Sequence, residues 1–277
     1  MMNEHPSVAV LGAGSMGEAF ATGLLRAGWP AESVLLVARR ESRAREAEKR
    51  TRCRCLLDPN QALDGAEVAV VTVKPKDVPA LLRQLQGGGH IPRVLITFAA
   101  GVPTATFEAA LDKVPVVRAM PNVGASVLDS VTPYAPGEHA SGGAVQLAEQ
   151  VLGALGPVIR LDEHLLDAVT AISGTGPAYA FLLAEALTEA AIREGLPRDV
   201  AERLVHQTIR GAGRLLVETG EGPFELRAKV TSPGGTTAAA VHVLEEGGFR
   251  ALLEDAVRAA ARRSREMGRA GEGSEES

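Results

Sequence analysis

The sequence is short of the residues that mark several protein classes. Aromatic side chains are 3% of it while apolar residues are 45%, so the core has to be built from Ala, Val and Leu. Charged residues, at 23%, are in the globular range, which excludes disordered and fibrous classes. Only two cysteines are present, Cys53 and Cys55. Neighbours this close rarely reach disulfide geometry, and no further Cys or His lies at ligand spacing, so the pair marks neither a disulfide scaffold nor a metal site. This usage fits a reducing cytoplasm. No apolar run nears the roughly 20 residues of a membrane span. No basic region precedes the first strand, as a signal peptide would require. The balance of 29 basic against 34 acidic residues gives −5, without any Lys or Arg block. A nucleic-acid binder usually carries a basic face, and none is visible.

What is present is a change of pattern. From Ser7 to about Leu161, short β-branched runs alternate with helical stretches. The runs are Val8–Leu11, Val34–Val37, Val68–Val73, Val94–Thr97, Val114–Val117 and Val158–Leu161. Nearly all their residues are apolar, as in parallel strands covered on both faces. Helical spacing holds over Met16–Ala27, Lys76–Leu85, Thr104–Leu111 and Ala144–Leu155. The expected fold is α/β, with an N-terminal Rossmann-type doubly wound sheet over residues 1–161. After Leu161 the pattern is helical only: Ala178–Glu194, Asp199–Val217, Thr236–Glu245 and Phe249–Met267. The first two are apolar over more than one stripe, which fits either a central helix or a helix covered by a second chain. Residues 162–267 are therefore expected to form an all-α C-terminal dimerisation domain, followed by a disordered polar tail at 268–277.

Between the first strand and the first helix lies Gly12-Ala13-Gly14-Ser15-Met16-Gly17. In this context G-x-G-x-x-G binds a dinucleotide. Gly12 allows the tight turn, Gly14 lets the pyrophosphate approach, and Gly17 lets the helix pack on the strand, while free N–H groups at the helix start face the phosphates. The second strand ends in Ala38-Arg39-Arg40, with no acid before Glu41. An acid there would hold a ribose 2′-hydroxyl, whereas arginine suits a 2′-phosphate, so NADP is expected, with NADPH preferred over NADH. Two further strand ends open into the same crevice: Thr72-Val73-Lys74-Pro75, where Lys74 is placed for a ribose or phosphate, and Phe98-Ala99-Ala100, where small residues suit a flat nicotinamide. Asn60 either caps a short helix or touches the adenosine ribose.

Three later segments are more specific. They are Arg118–Asn122 (Arg-Ala-Met-Pro-Asn), Asp167–Tyr179 with Ser173-Gly-Thr-Gly-Pro177, and Val230–Thr237 with Ser232-Pro-Gly-Gly-Thr-Thr237. Together with the glycine turn and Val73-Lys74-Pro75, they resemble the motif set of the pyrroline-5-carboxylate reductases over about residues 7–267, in that family's order. The resemblance implies reduction of a cyclic imine, L-1-pyrroline-5-carboxylate, to L-proline by NAD(P)H, the last step of proline synthesis. It implies a substrate site at Val230, Ser232, Gly234, Gly235, Thr236 and Thr237, with Thr237 the catalytic residue through its hydroxyl on the ring nitrogen. It also implies a homodimer through the helical domain, often assembled further into a decamer, and brings Glu163 and Lys229 near the cofactor. His242 is expected to be a helix-packing residue rather than a proton donor. The sequence departs from the family pattern at Val123-Gly124, where Thr-Pro is usual, and at Lys229, where an amide or acid is common.

Two other readings share the architecture. A β-hydroxyacid dehydrogenase would carry a lysine on the first long helix after the sheet, but Ser173–Ala191 contains none. A non-catalytic NADP-binding regulator would keep Gly12–Gly17 with no reason to keep Ser232–Thr237.

Overall fold

The computed structural model describes residues 5–88, 90 and 92–272. Its first compact unit comprises the chain up to Thr175 together with the segment from Ala259 onward. Eight strands form one sheet: β1 (Val8–Leu11), β2 (Val34–Val37), β3 (Cys55–Leu56), β4 (Val68–Val71), β5 (Val94–Thr97), β6 (Val116–Ala119), β7 (Thr132–Pro136) and β8 (Val158–Arg160). Their order is β3-β2-β1-β4-β5-β6-β7-β8. Every pairing is parallel except β6 with β7. The order reverses between β1 and β4, so the crevice beyond their carboxyl ends is where a ligand binds in such sheets.

Side chains alternate across the sheet, as the pleat requires. Val8 and Val10 join one core with Phe20 and Leu24 of α1 (Ser15–Arg26) and Leu152 of α6 (Gly142–Gly153). Ala9 and Leu11 join the other core with Leu82 of α4 (Val78–Leu85) and Phe107 of α5 (Thr104–Ala110). Two elements beyond the sequence reading lie at the β2 end, α2 (Glu41–Thr51) and β3, followed by the short helix α3 (Pro59–Leu63). A third is β7, antiparallel and bounded by prolines, where only parallel strands were expected.

The sheet unit runs past Leu161 because polar side chains tie the following segment to it. Glu163 accepts both the N–H and the hydroxyl of Thr104 at 2.8 Å. Arg118, at the end of β6, donates to Asp167, just inside α7 (Leu166–Val169). A π-turn at Thr170–Gly174 follows.

The second unit covers Gly176–Arg258. It holds α8 (Gly176–Arg193), α9 (Arg198–Glu218), α10 (Pro223–Lys229), α11 (Thr236–Glu246) and the first part of α12 (Phe249–Glu272). Only Thr188, Ala201 and Val205 are buried within it. Phe181, Leu182 and Leu252 are each about two-thirds exposed, at 65%, 66% and 65%. The final helix continues to Glu272, so residues 268–272 extend it where the sequence suggested a tail, and 273–277 lie outside the described residues.

Candidate active site

The glycine turn opens α1 at the crevice. Gly12 has φ +132°, a conformation that suits glycine, and a Cβ there would meet the Thr72 hydroxyl at 2.8 Å. A Cβ on Gly17 would overlap the Gly12 carbonyl oxygen, whereas one on Gly14 would meet nothing within 4 Å. Gly14 caps α1 without a side-chain hydrogen bond. Among the described residues, the N–H groups of Gly14, Ser15, Met16 and Gly17 have no acceptor. An open approach at Gly14 and four donors at a helix start fit a pyrophosphate.

The carbonyls of the turn have partners instead. Gly12 O accepts the Thr72 hydroxyl at 2.6 Å, Ala13 O accepts Arg43 Nε at 2.8 Å, and Gly14 O accepts the Glu18 N–H at 2.9 Å. Thr72, expected to touch the cofactor, thus spends its hydroxyl on the turn. Arg43 was not among the expected site residues. It sits in a run of charges from Glu41 to Arg50, where no pattern distinguishes it from a solvated arginine.

Arg39 and Arg40 extend into solvent at the end of β2, and Arg39 Nη1 lies 3.1 Å from Asp77 Oδ1. Glu41, the nearest acid in sequence, is paired with Arg45 at 2.6 Å. The residues present therefore fit a ribose 2′-phosphate. Lys74 is exposed beyond β4, between the half-buried Val73 and Pro75. Phe98 turns away from the crevice to pack edge-on against Phe20, with ring centroids 5.2 Å apart. Ala99 is buried in the other core, so backbone and Ala100 are left to face a ligand. Asn60 lies in the first turn of α3, capped by Asp58 at 2.9 Å, and its carboxamide donates to the Gln84 carbonyl at 3.0 Å. Its Oδ1 is buried without a partner.

On the helical unit, residues 230–235 connect α10 to α11. Gly234 takes φ +66°, and Gly235 N donates to Ser232 O at 3.1 Å, closing the turn. A Cβ on Gly235 would collide with the Ser232 hydroxyl. Gly235 caps α11 without a side-chain bond. The N–H groups of Thr236, Thr237 and Ala238, and the Thr237 hydroxyl, have no partner among the described residues. Unpartnered donors at a helix start suit an anion, and a free hydroxyl stands beside them. Val230, 65% exposed, borders it.

A family model described as pyrroline-5-carboxylate reductase dimerisation matches residues 163–267. Another, described as NADP oxidoreductase, coenzyme F420-dependent, matches residues 7–101. The pyrroline-5-carboxylate reductase of Corynebacterium melassecola is 38% identical over 267 residues, covering 95% of this chain and 99% of its own. This chain belongs to the pyrroline-5-carboxylate reductase family. The solved structure of such a reductase from Coxiella burnetii matches with a TM-score of 0.82 at 34% identity, over 95% of this chain and 99% of that one. The Plasmodium falciparum enzyme, solved with NADP bound, matches with a TM-score of 0.86 at 26% identity, over 96% and 99%.

In this reductase the two charged positions implied near the cofactor both have ion-pair partners. Glu163 is committed to Thr104 and Arg118, and Lys229 forms an ion pair with Glu221. His242 is exposed, 70% of its side chain open, and faces Glu246 at 3.3 Å rather than packing within this chain. The reductase has no group of three metal-ligating side chains among its described residues. No described helix is long and apolar enough to cross a membrane. Both cysteines are free and buried.

Proposed function

We propose that this oxidoreductase reduces L-1-pyrroline-5-carboxylate to L-proline with NADPH. The observation that carries the reading is the start of α11, where three unpartnered N–H groups and the Thr237 hydroxyl face outward from one glycine turn. The N–H groups of Thr236, Thr237 and Ala238 bind the substrate carboxylate. Ser232, Gly234 and Gly235 hold the turn open for it, and Val230 borders the ring. Thr237 Oγ accepts a hydrogen bond from the protonated ring nitrogen and fixes which face of the C=N bond is presented.

Bound NADPH would supply the hydride for the new C–H bond, with the C=N π pair passing to nitrogen. The nitrogen already carries its proton, so position and electrostatics replace a strong general acid. The residues at β1, β2, β4 and β5 orient the dinucleotide: the Gly12–Gly17 turn holds its pyrophosphate, Arg39 and Arg40 its 2′-phosphate, Lys74 a ribose oxygen, and Ala100 with adjoining backbone the nicotinamide.

The enzyme is a homo-oligomer. The exposed apolar faces of α8, α9 and α12 support a homodimer through the helical unit; further assembly into a decamer is what the family resemblance implies. It acts in the cytoplasm, where buried thiols stay reduced. Burial and the nearby Glu48 carboxylate push the Cys55 thiol up to about 11, which keeps it inert.

The test is purified protein with NADPH and the imine, following loss of NADPH absorbance and formation of proline. Turnover at an ordinary enzymatic rate is expected. NADPH binding without turnover would sink the substrate assignment.

A further inference from the structure

The phosphate-binding turn has a feature that its glycines do not explain. Three consecutive carbonyls, at positions 12, 13 and 14, are all hydrogen-bonded, and the four N–H groups from Gly14 to Gly17 are all free. A peptide that lies free in a turn can flip: flipping Ala13–Gly14 or Gly14–Ser15 would present a carbonyl oxygen to the pyrophosphate in place of an N–H, whereas Gly12–Ala13 is held at both ends, by Thr72 on its oxygen and by Val37 O on its N–H at 2.8 Å. One carbonyl is held by the helix itself, through the Glu18 N–H. The other two are held by side chains from elsewhere: Thr72, just beyond β4, and Arg43, from the first turn of α2.

We propose that Thr72 and Arg43 are positioning residues for the dinucleotide, which fix the Gly12 and Ala13 carbonyls away from the pyrophosphate without touching the cofactor. The inference rests on the dinucleotide reading of this crevice and is independent of the substrate.

Arg43 has a second task. Its Nη2 lies 2.5 Å from Glu18 Oε1, and Arg50 lies 3.3 Å from the other Glu18 oxygen. Glu18 stands in the first turn of α1, so its carboxylate would repel phosphate if left uncovered. Arg43 is 27% exposed and Glu18 13%, so their pair is less screened than a surface pair. A lysine at position 43 places one donor where the guanidinium bridges Ala13 O, Glu18 and Glu46, so it restores only part of the brace. A serine at position 72 keeps the hydroxyl and restores most of it.

The experiment measures NADPH and NADH dissociation constants by fluorescence titration, with kcat at saturating NADPH, for Thr72→Ala, Thr72→Ser, Arg43→Ala and Arg43→Lys. Each alanine variant should weaken both cofactors equally, by on the order of tenfold for a charge-assisted or buried hydrogen bond. kcat should stay within about twofold, since the bound cofactor recovers its pose. Thr72→Ser should return close to the parent and Arg43→Lys part of the way. Arg45→Ala, which removes only the exposed pair with Glu41 and leaves both carbonyl bonds and the cover on Glu18 in place, should bind as the parent does.

Unchanged dissociation constants in both alanine variants would overturn the proposal, even if thermal stability falls. Loss for NADPH alone in Arg43→Ala would overturn it for Arg43, by making that residue a 2′-phosphate ligand. A parent protein that binds neither cofactor would overturn the dinucleotide reading as well. Normal binding in the parent, without imine reduction, would touch only the substrate assignment.

Discussion

Arg118 reaches Asp167 at 3.2 Å, and Asp167 accepts the Ser264 hydroxyl on the same oxygen at 2.9 Å. One buried guanidinium at the end of β6 thus holds both the segment leading to α7 and the closing part of α12 on the sheet unit. Its Nη1 also stands 3.5 Å from Glu163, while its Nε is buried without a partner. Its side chain is 5% exposed, so the two carboxylates beside it depend on it for compensation.

Arg118→Met should therefore lower the unfolding free energy by about 3 kcal/mol, the range for breaking a buried pair. Adding Asp167→Asn should recover part of that, because one uncompensated carboxylate is removed. Urea denaturation measures both, and equal stability of Arg118→Met and parent would contradict the network.

Exchanging the charges after β2 should change cofactor choice. Arg39→Asp with Arg40→Ala should cut the NADPH-over-NADH affinity ratio by at least about tenfold, the value of a lost charge-assisted phosphate contact. A ratio left unchanged in paired titrations would remove these arginines from the 2′-phosphate site.

Thr237→Ala should lower kcat/KM for the imine by roughly 10- to 100-fold, with NADPH affinity unchanged within about twofold. Thr237→Ser should keep most of the activity. Full activity in the alanine variant would take the hydroxyl out of the mechanism.

Tyr134 is buried on β7 with its hydroxyl on Glu149, and burial, followed by that hydrogen bond, pushes its pKa up to about 12 from 10.0. The folded state then disfavours the phenolate. Stability from this group is complete below pH 10 and is lost as pH rises toward 12, where the unfolded chain gives up its proton first. Tyr134→Phe should show a flatter stability profile over that window in denaturation at stepped pH. Parallel profiles for the two proteins would refute the linkage.

Phe181→Glu combined with Leu252→Glu should reduce the oligomer to monomers at micromolar concentration, read by sedimentation velocity. Burying two charges against an apolar face costs several kcal/mol. An oligomer of parental size would move the interface elsewhere.

Most of the sheet could be read from sequence because β1, β2, β4 and β5 are continuous apolar runs buried on both faces. The α2 helix escaped notice because its buried residues are only Ala44, Ala47 and Thr51, set among Glu and Arg. Prolines at positions 133 and 136 interrupt the apolar pattern of β7, yet Pro133 contributes its carbonyl, which accepts Met120 N–H at 2.8 Å. The glycines of both turns were legible, since Gly12 and Gly234 take a positive φ, a side chain at Gly17 or Gly235 would collide, and Gly14 leaves the approach to the turn open. The braces on those turns were not. Thr72 and Gly12 are 60 residues apart, Arg43 and Ala13 are 30 apart, and Ser264 and Asp167 are 97 apart. Hydrogen bonds across such separations leave no periodic trace in the chain.

The helical unit that buries only Thr188, Ala201 and Val205 has a consequence for the life of the molecule. A newly made chain can complete its sheet alone, but its helices gain a dry interior only on meeting a second copy. Until then they would offer proteases long, poorly protected segments. Dilution should therefore raise the cutting of these helices, which limited proteolysis at stepped protein concentrations would read.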